Sequence, residues 1–145
     1  MVVDVARHRV QLALSPAAAE GVRACREALE RTLDDGAPHY GINTGFGSLS
    51  NKRINREDLA TLQRNLIRSH AAGVGAPLPE EVVRGMMAVL AASLARGRSG
   101  VRLALVEHLI AVINAGITPV VPESGSVGAS GDLAPLAHAS LVLIG

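Results

Sequence analysis

The sequence predicts a mainly α-helical fold, and three observations carry that expectation. Apolar residues recur at spacings of three and four along several stretches, which is the period of one helix face. The core has to be aliphatic, because the chain holds one tyrosine, one phenylalanine and no tryptophan. Strand-like alternation is confined to Val10, Leu12 and Leu14. With 145 residues the chain can form a single unit with a modest core.

The elements follow in order. Val10, Leu12 and Leu14 predict a short strand or an extended lead-in. Ser15 then suits an N-cap, because its hydroxyl can accept a free first-turn N–H, and Pro16 suits the first helical position. Ala18, Val22, Cys25, Leu29 and Leu33 form one apolar face, and the run from Asp34 to Pro38 ends that helix. Residues 39–53 read as a loop rich in glycine and serine. Asn55 is a candidate cap for the next helix, with Asp58 near its positive end and Leu59, Leu62 and Leu66 along it. Ala72 to Pro77 breaks it.

A helix from about Pro79 to Arg96 carries Val82, Val83, Met86, Met87, Leu90 and Leu94. Another, from about Val101 to Ala115, turns Val106, Leu109, Ile110 and Ile113 inward, with Gly116 as its stop. An extended stretch from Ile117 to Pro122 leads to a small-residue run, and a last helix starts near Asp132. From Leu133 to Ile144 its only polar side chains are His138 and Ser140. A helix apolar on nearly all sides needs cover on nearly all sides. The expectation is one piece of a larger fold, completed by helices from a second chain or a downstream segment.

Composition excludes several functions. Fourteen basic and thirteen acidic residues give a net charge of +1, with no basic face for a nucleic acid. The single Cys25 excludes an internal disulfide, and its spacing from Val22 and Leu29 suits a small core residue. Met1 to Asp4 lacks a signal pattern, and no apolar run is long enough to span a membrane. A cytoplasmic location with no membrane partner is expected. His8, His39, His70, His108 and His138 make no metal-ligand spacing, so no metal is expected.

Three motifs remain. The first is Gly125-Ser126-Val127-Gly128-Ala129-Ser130-Gly131-Asp132, followed by an apolar helix. It is no nucleophile elbow, because the second glycine stands one place early, and no P-loop, because lysine is missing. Left to itself, Ala-Ser-Gly reads as a loop with Asp132 as N-cap. The second motif is Tyr40-Gly41-Ile42-Asn43-Thr44-Gly45-Phe46-Gly47, which holds both aromatic residues of the chain. A phenol beside an electrophile can act as an acid or a base. The third is the stretch from Leu62 to Gly75, which carries Ser69-His70.

Taken together and in this order, the motifs resemble those of the histidine ammonia-lyase family, the aromatic amino acid ammonia-lyases and aminomutases. The resemblance covers about residues 3 to 145 and implies the N-terminal part of that fold. It implies that Ala129-Ser130-Gly131 cyclises with loss of water to a methylidene-imidazolone electrophile, in which Ser130 supplies the reactive methylene. The Gly131 amide nitrogen would attack the Ala129 carbonyl, and a side chain at 131 would crowd that attack.

The resemblance further makes Tyr40 the catalytic base, with Asn43 and Gly45 placing the substrate and the loop. Ser69-His70 is the pair typical of histidine-specific members, with His70 on the substrate ring. Asp132 would support the cyclised turn, cap its helix, or both. His138 reads first as a structural histidine. The implied reaction is loss of ammonia from an aromatic L-amino acid, foremost L-histidine giving urocanate. The implied assembly is a tetramer-like oligomer. A tyrosine lyase or aminomutase, and a non-catalytic structural or regulatory subunit, stay open as alternatives.

Overall fold

The computed structural model describes residues 1–33, 35–45, 50–126 and 131–145, without the Arg56 side chain. Six helices and one small sheet carry the chain: α1 (Val2–His8), α2 (Pro16–Leu33), α3 (Leu59–His70), β1 (Val74–Pro77), α4 (Glu80–Leu94), α5 (Leu103–Asn114), β2 (Pro122–Ser124) and α6 (Leu133–Ile144). The mainly helical expectation holds. The core is aliphatic as composition demanded, built on Val5, Val83, Met87, Ala91, Leu109, Ile113 and Val121. Helix α4 lies between α1 and α5, while α3 packs along α6.

The predicted caps fare unevenly. Ser15 accepts the Ala18 N–H at 3.2 Å, and Val22 is the fully buried centre of the α2 face. Helix α5 ends in a Schellman turn: the Gly116 N–H reaches the Ile113 carbonyl and the Ile117 N–H reaches Val112. Gly116 has φ +74°, a conformation that side chains resist. Asn55, by contrast, makes no side-chain cap, and a 3-10 turn (Arg56–Asp58) precedes α3. Asp132 stands at the N-cap position of α6 without a side-chain cap bond. Its expected capping role is therefore corrected.

Other differences have local causes. Val10 to Leu14 is extended but pairs with no strand. Its backbone partner is a side chain: Asn114 accepts the Leu12 N–H and donates to the Leu12 carbonyl, both at 2.8 Å. Helix α1 was not foreseen, because two short turns rich in valine have little propensity of their own. It forms by burying Val5 against α4 and by pairing the chain's amino group with Asp4 at 2.6 Å. Of the apolar residues that α4 carries, Val82 is 47% exposed.

The segment after α3 does more than break a helix. It becomes β1, antiparallel to β2, with Val74 opposite Ser124 and Pro77 opposite Pro122. Helix α6 buries Ala134, Ala137 and Ala139 and leaves Leu133 and Val142 exposed. Among the described residues no helix is long and apolar enough to cross a membrane.

Arg84 is the one buried charged residue among the described residues, at 2% exposure. It donates to the Val5 carbonyl at 3.2 Å and the Ile113 carbonyl at 3.3 Å, joining α1, α4 and the end of α5. A cation at a helix C-terminus is favourable, and Ile113 lies in the last turn of α5. Arg84→Ala removes the side-chain donor from the Val5 carbonyl, leaves the Ile113 carbonyl with the Gly116 N–H alone and opens a cavity, so it is expected to cost about 3 kcal/mol of stability in urea unfolding. A loss below about 0.5 kcal/mol would show that the clamp is dispensable.

Candidate functional site

The stretch after α3 and the stretch before α6 meet at two glycines. A Cβ on Gly125 would stand 2.8 Å from the Gly73 Cα and 3.1 Å from the Ala134 Cβ. A Cβ on Gly73 would stand 3.1 Å from His138 Nε2 and 3.2 Å from the Pro122 Cβ. Only glycine at both positions lets the two backbones come this close. The Gly73 N–H donates to His138 Nε2 at 2.9 Å. The result brings the Ser69-His70 end of α3 to the base of the 125–132 run.

His70 itself is locally fixed. Its Nδ1 lies 2.9 Å from the Leu66 carbonyl, which can only accept, so Nδ1 carries the proton. Ser69 also donates to the Leu66 carbonyl at 2.9 Å and lies 3.1 Å from the same Nδ1. In the neutral ring this leaves Nε2 as an acceptor for an outside donor.

Of the Ala129-Ser130-Gly131 tripeptide, Ala129 and Ser130 lie outside the described residues, so their predicted roles gain no geometry. Gly131 is described and has φ +118°. Among the described residues, a Cβ there would meet nothing within 4 Å. The demand for glycine at 131 that the described residues display is one of backbone conformation. Among the described residues Asp132 makes no side-chain cap, and the Leu133 and Ala134 N–H groups stand in the first turn of α6 beside the run.

The second motif is a braced loop. Tyr40 stands on a turn with 66% of its surface open. Asn43 is buried and spends its side chain on the loop: Oδ1 accepts the His39 N–H at 2.6 Å, and Nδ2 donates to the Ala37 carbonyl at 2.9 Å. Its backbone carbonyl accepts the Ile54 N–H at 2.7 Å. Gly45 is buried and donates to the Lys52 carbonyl, beside a Thr44–Arg53 bridge. Phe46 and Gly47 fall outside the described residues.

Two supports here escaped the sequence reading. Thr44 is fully buried, receives the Gly41 N–H at 3.4 Å and donates to the Gly45 carbonyl. Asp35 accepts the Ala37 N–H at 2.7 Å and lies 3.0 Å from His39 Nε2. The Ala37 hydrogen bond, then His39, holds the Asp35 carboxyl below its usual value. Among the described residues no group of three or more His, Cys, Asp or Glu could hold a metal.

With this geometry in hand, comparison with known proteins is decisive. The sequence matches the aromatic amino acid lyase family over residues 1–145. The chain belongs to that family. It is 57% identical over 141 residues to histidine ammonia-lyase of Anaeromyxobacter dehalogenans (strain 2CP-C), covering 97% of this chain and 28% of that one. Its fold matches tyrosine aminomutase from Streptomyces globisporus with a TM-score of 0.93 and 38% identity, over 99% of this chain and 27% of that one. It matches histidine ammonia-lyase from Trypanosoma cruzi with a TM-score of 0.88 and 37% identity, over the same shares. The chain thus spans little more than a quarter of the length of these relatives, and it corresponds to the N-terminal part of their fold.

The Asp35 brace has a pH signature. A carboxyl whose folded pKa is lowered stabilises above its unfolded pKa and stops doing so as pH falls through the folded value. Hydrogen-exchange protection of the Ala37 amide should therefore hold at neutral pH, survive through the ordinary carboxylate range at about pH 4 and be lost only below it. Protection that persists to about pH 2 would mean that another group holds the loop.

Proposed function

We propose that this chain is the N-terminal part of an ammonia-lyase that removes ammonia from an aromatic L-amino acid, foremost L-histidine giving urocanate. In this reading residues 1–145 form one segment that carries both the Tyr40 loop (39–53) and the Ala-Ser-Gly turn (125–132). The observation that carries it is the packing of the Ser69-His70 end of α3 against the base of that turn through Gly73 and Gly125. The high identity to a histidine ammonia-lyase supports the same substrate.

The residues suit the prosthetic group. Ala129, Ser130 and Gly131 would form it, with the left-handed Gly131 allowing the turn and the uncapped first turn of α6 offering N–H donors. When present, a methylidene-imidazolone supplies an electrophile that makes the substrate's amino group a better leaving group. No metal has a part.

The chain's own residues do the rest. Tyr40 Oη removes a proton from the substrate's β-carbon, as a positioned base must. The Asn43, Thr44 and Gly45 backbone network keeps the loop in one shape, so Asn43 and Gly45 act by placing Tyr40 and, through it, the substrate. His70 Nε2 accepts a hydrogen bond from the substrate's imidazole N–H, and Ser69 fixes the tautomer that makes this possible. Asp132 supports the start of α6. The rest of the fold, as a second chain or a downstream segment in a tetramer-like oligomer, supplies the remaining groups.

Likeness to a tyrosine aminomutase keeps a tyrosine-specific reading in view. Product analysis separates the two. Assayed with the remainder of its fold, the protein should release urocanate from histidine and leave tyrosine unchanged. Tyr40→Phe should lower kcat at least about a hundredfold. Turnover of tyrosine in place of histidine, or full activity of Tyr40→Phe, would refute the assignment. The 145-residue chain alone should show no turnover.

A further inference from the structure

His138 lies on α6, six residues beyond Asp132, flanked by the buried Ala137 and Ala139. The helix that starts at the Ala-Ser-Gly turn therefore fixes its Cα. Its ring reaches across to Gly73, 65 residues away in sequence and three residues after His70. No other hydrogen bond from a side chain joins α6 to the segment that follows α3 among the described residues. An N–H donor can be received only by a ring nitrogen that carries a lone pair. The bond therefore requires a neutral imidazole with its proton on Nδ1.

We propose that His138 is a positioning residue for the reaction: its Nε2, by accepting the Gly73 N–H, holds the Ser69-His70 end of α3 in register with the 125–132 turn. The inference rests on the reading of His70 as the residue that receives the substrate ring. Gly73 is part of the device, since any Cβ there would press on Nε2, the Pro122 Cβ and the Ser124 carbonyl.

The charged or titratable groups on the elements around the ring are Arg64, Arg68 and His70 on α3, Glu123 on β2, Glu107 and His108 on α5, and Asp132 at the start of α6. Glu123 packs over Gly75, and no ion pair of His138 occurs among the described residues. Nothing there compensates for loss of the neutral form.

The test uses the 145-residue chain and two variants, His138→Gln and His138→Leu. A glutamine oxygen can accept the Gly73 N–H, and a leucine cannot. Amide exchange is read at Gly73, with Met87 and Leu109 as core controls, together with the NMR signals of the His70 ring. Relative to the wild type, His138→Leu should lower Gly73 protection about tenfold, shift the His70 ring signals and leave the core controls unchanged, while His138→Gln restores both.

Equal protection in all three proteins, or His70 signals unmoved in His138→Leu, would overturn the proposal. Should the leucine variant fail to fold, Gly73→Ala, whose Cβ would press on His138 Nε2, takes its place: shifted His70 ring signals support the proposal, and unmoved signals overturn it. None of these readouts depends on turnover, so a failed lyase assignment and a failed positioning role remain separate results.

Discussion

The approach of Gly73 to Gly125 is the constraint on which the rest of the candidate site depends. The two residues lie on different segments, and each segment carries one half of the proposed chemistry. One ends the helix bearing Ser69-His70; the other begins the run that holds Ala129-Ser130-Gly131. Backbones this close leave no room for a Cβ on either side. The β1–β2 pairing and the contact of α3 with α6 then follow as consequences of the same juncture. A two-stranded sheet of three or four residues per strand has little stability of its own, so helices on either side must hold it.

The Tyr40 loop solves a different problem. A base must be held in place yet reach a substrate, and the loop carries little apolar surface to bury. Its rigidity comes from hydrogen bonds instead: Asn43 closes on Ala37 and His39, Thr44 on Gly41 and Gly45, and Asp35 on Ala37 and His39. The tyrosine is exposed while the residues behind it are buried. That division between a presented side chain and a fixed backbone is what a positioned acid or base requires.

Much of this was legible in the sequence, for identifiable reasons. Helices α2, α4 and α5 are long enough for a 3.6-residue period to stand out, and Ser15 and Gly116 mark ends by chemistry that is purely local. Helix α1 was not legible, because its stability lies in Val5 meeting α4, a contact far away in sequence. Strand β1 has no apolar alternation: Val74-Gly75-Ala76-Pro77 is a strand only because β2 lies beside it. Asn55 and Asp132 looked like caps by residue type, but cap geometry depends on side-chain rotamers that pattern does not encode. The motif residues of the site came from the family resemblance, and His138 was read as structural, whereas the bracing roles of Asp35 and Thr44 emerged only from their hydrogen bonds. Glycine at 131 was expected from the chemistry of ring closure, and φ +118° adds a second demand of backbone conformation.

The central claim is that Ala129-Ser130-Gly131 becomes the electrophile of an ammonia-lyase. Its most direct test is the mass of the folded protein that contains this chain together with the remainder of its fold. The account predicts a mass lower than the sequence by two waters, with the loss confined to the peptide that holds Ser130. An unmodified tripeptide in that folded protein would contradict it.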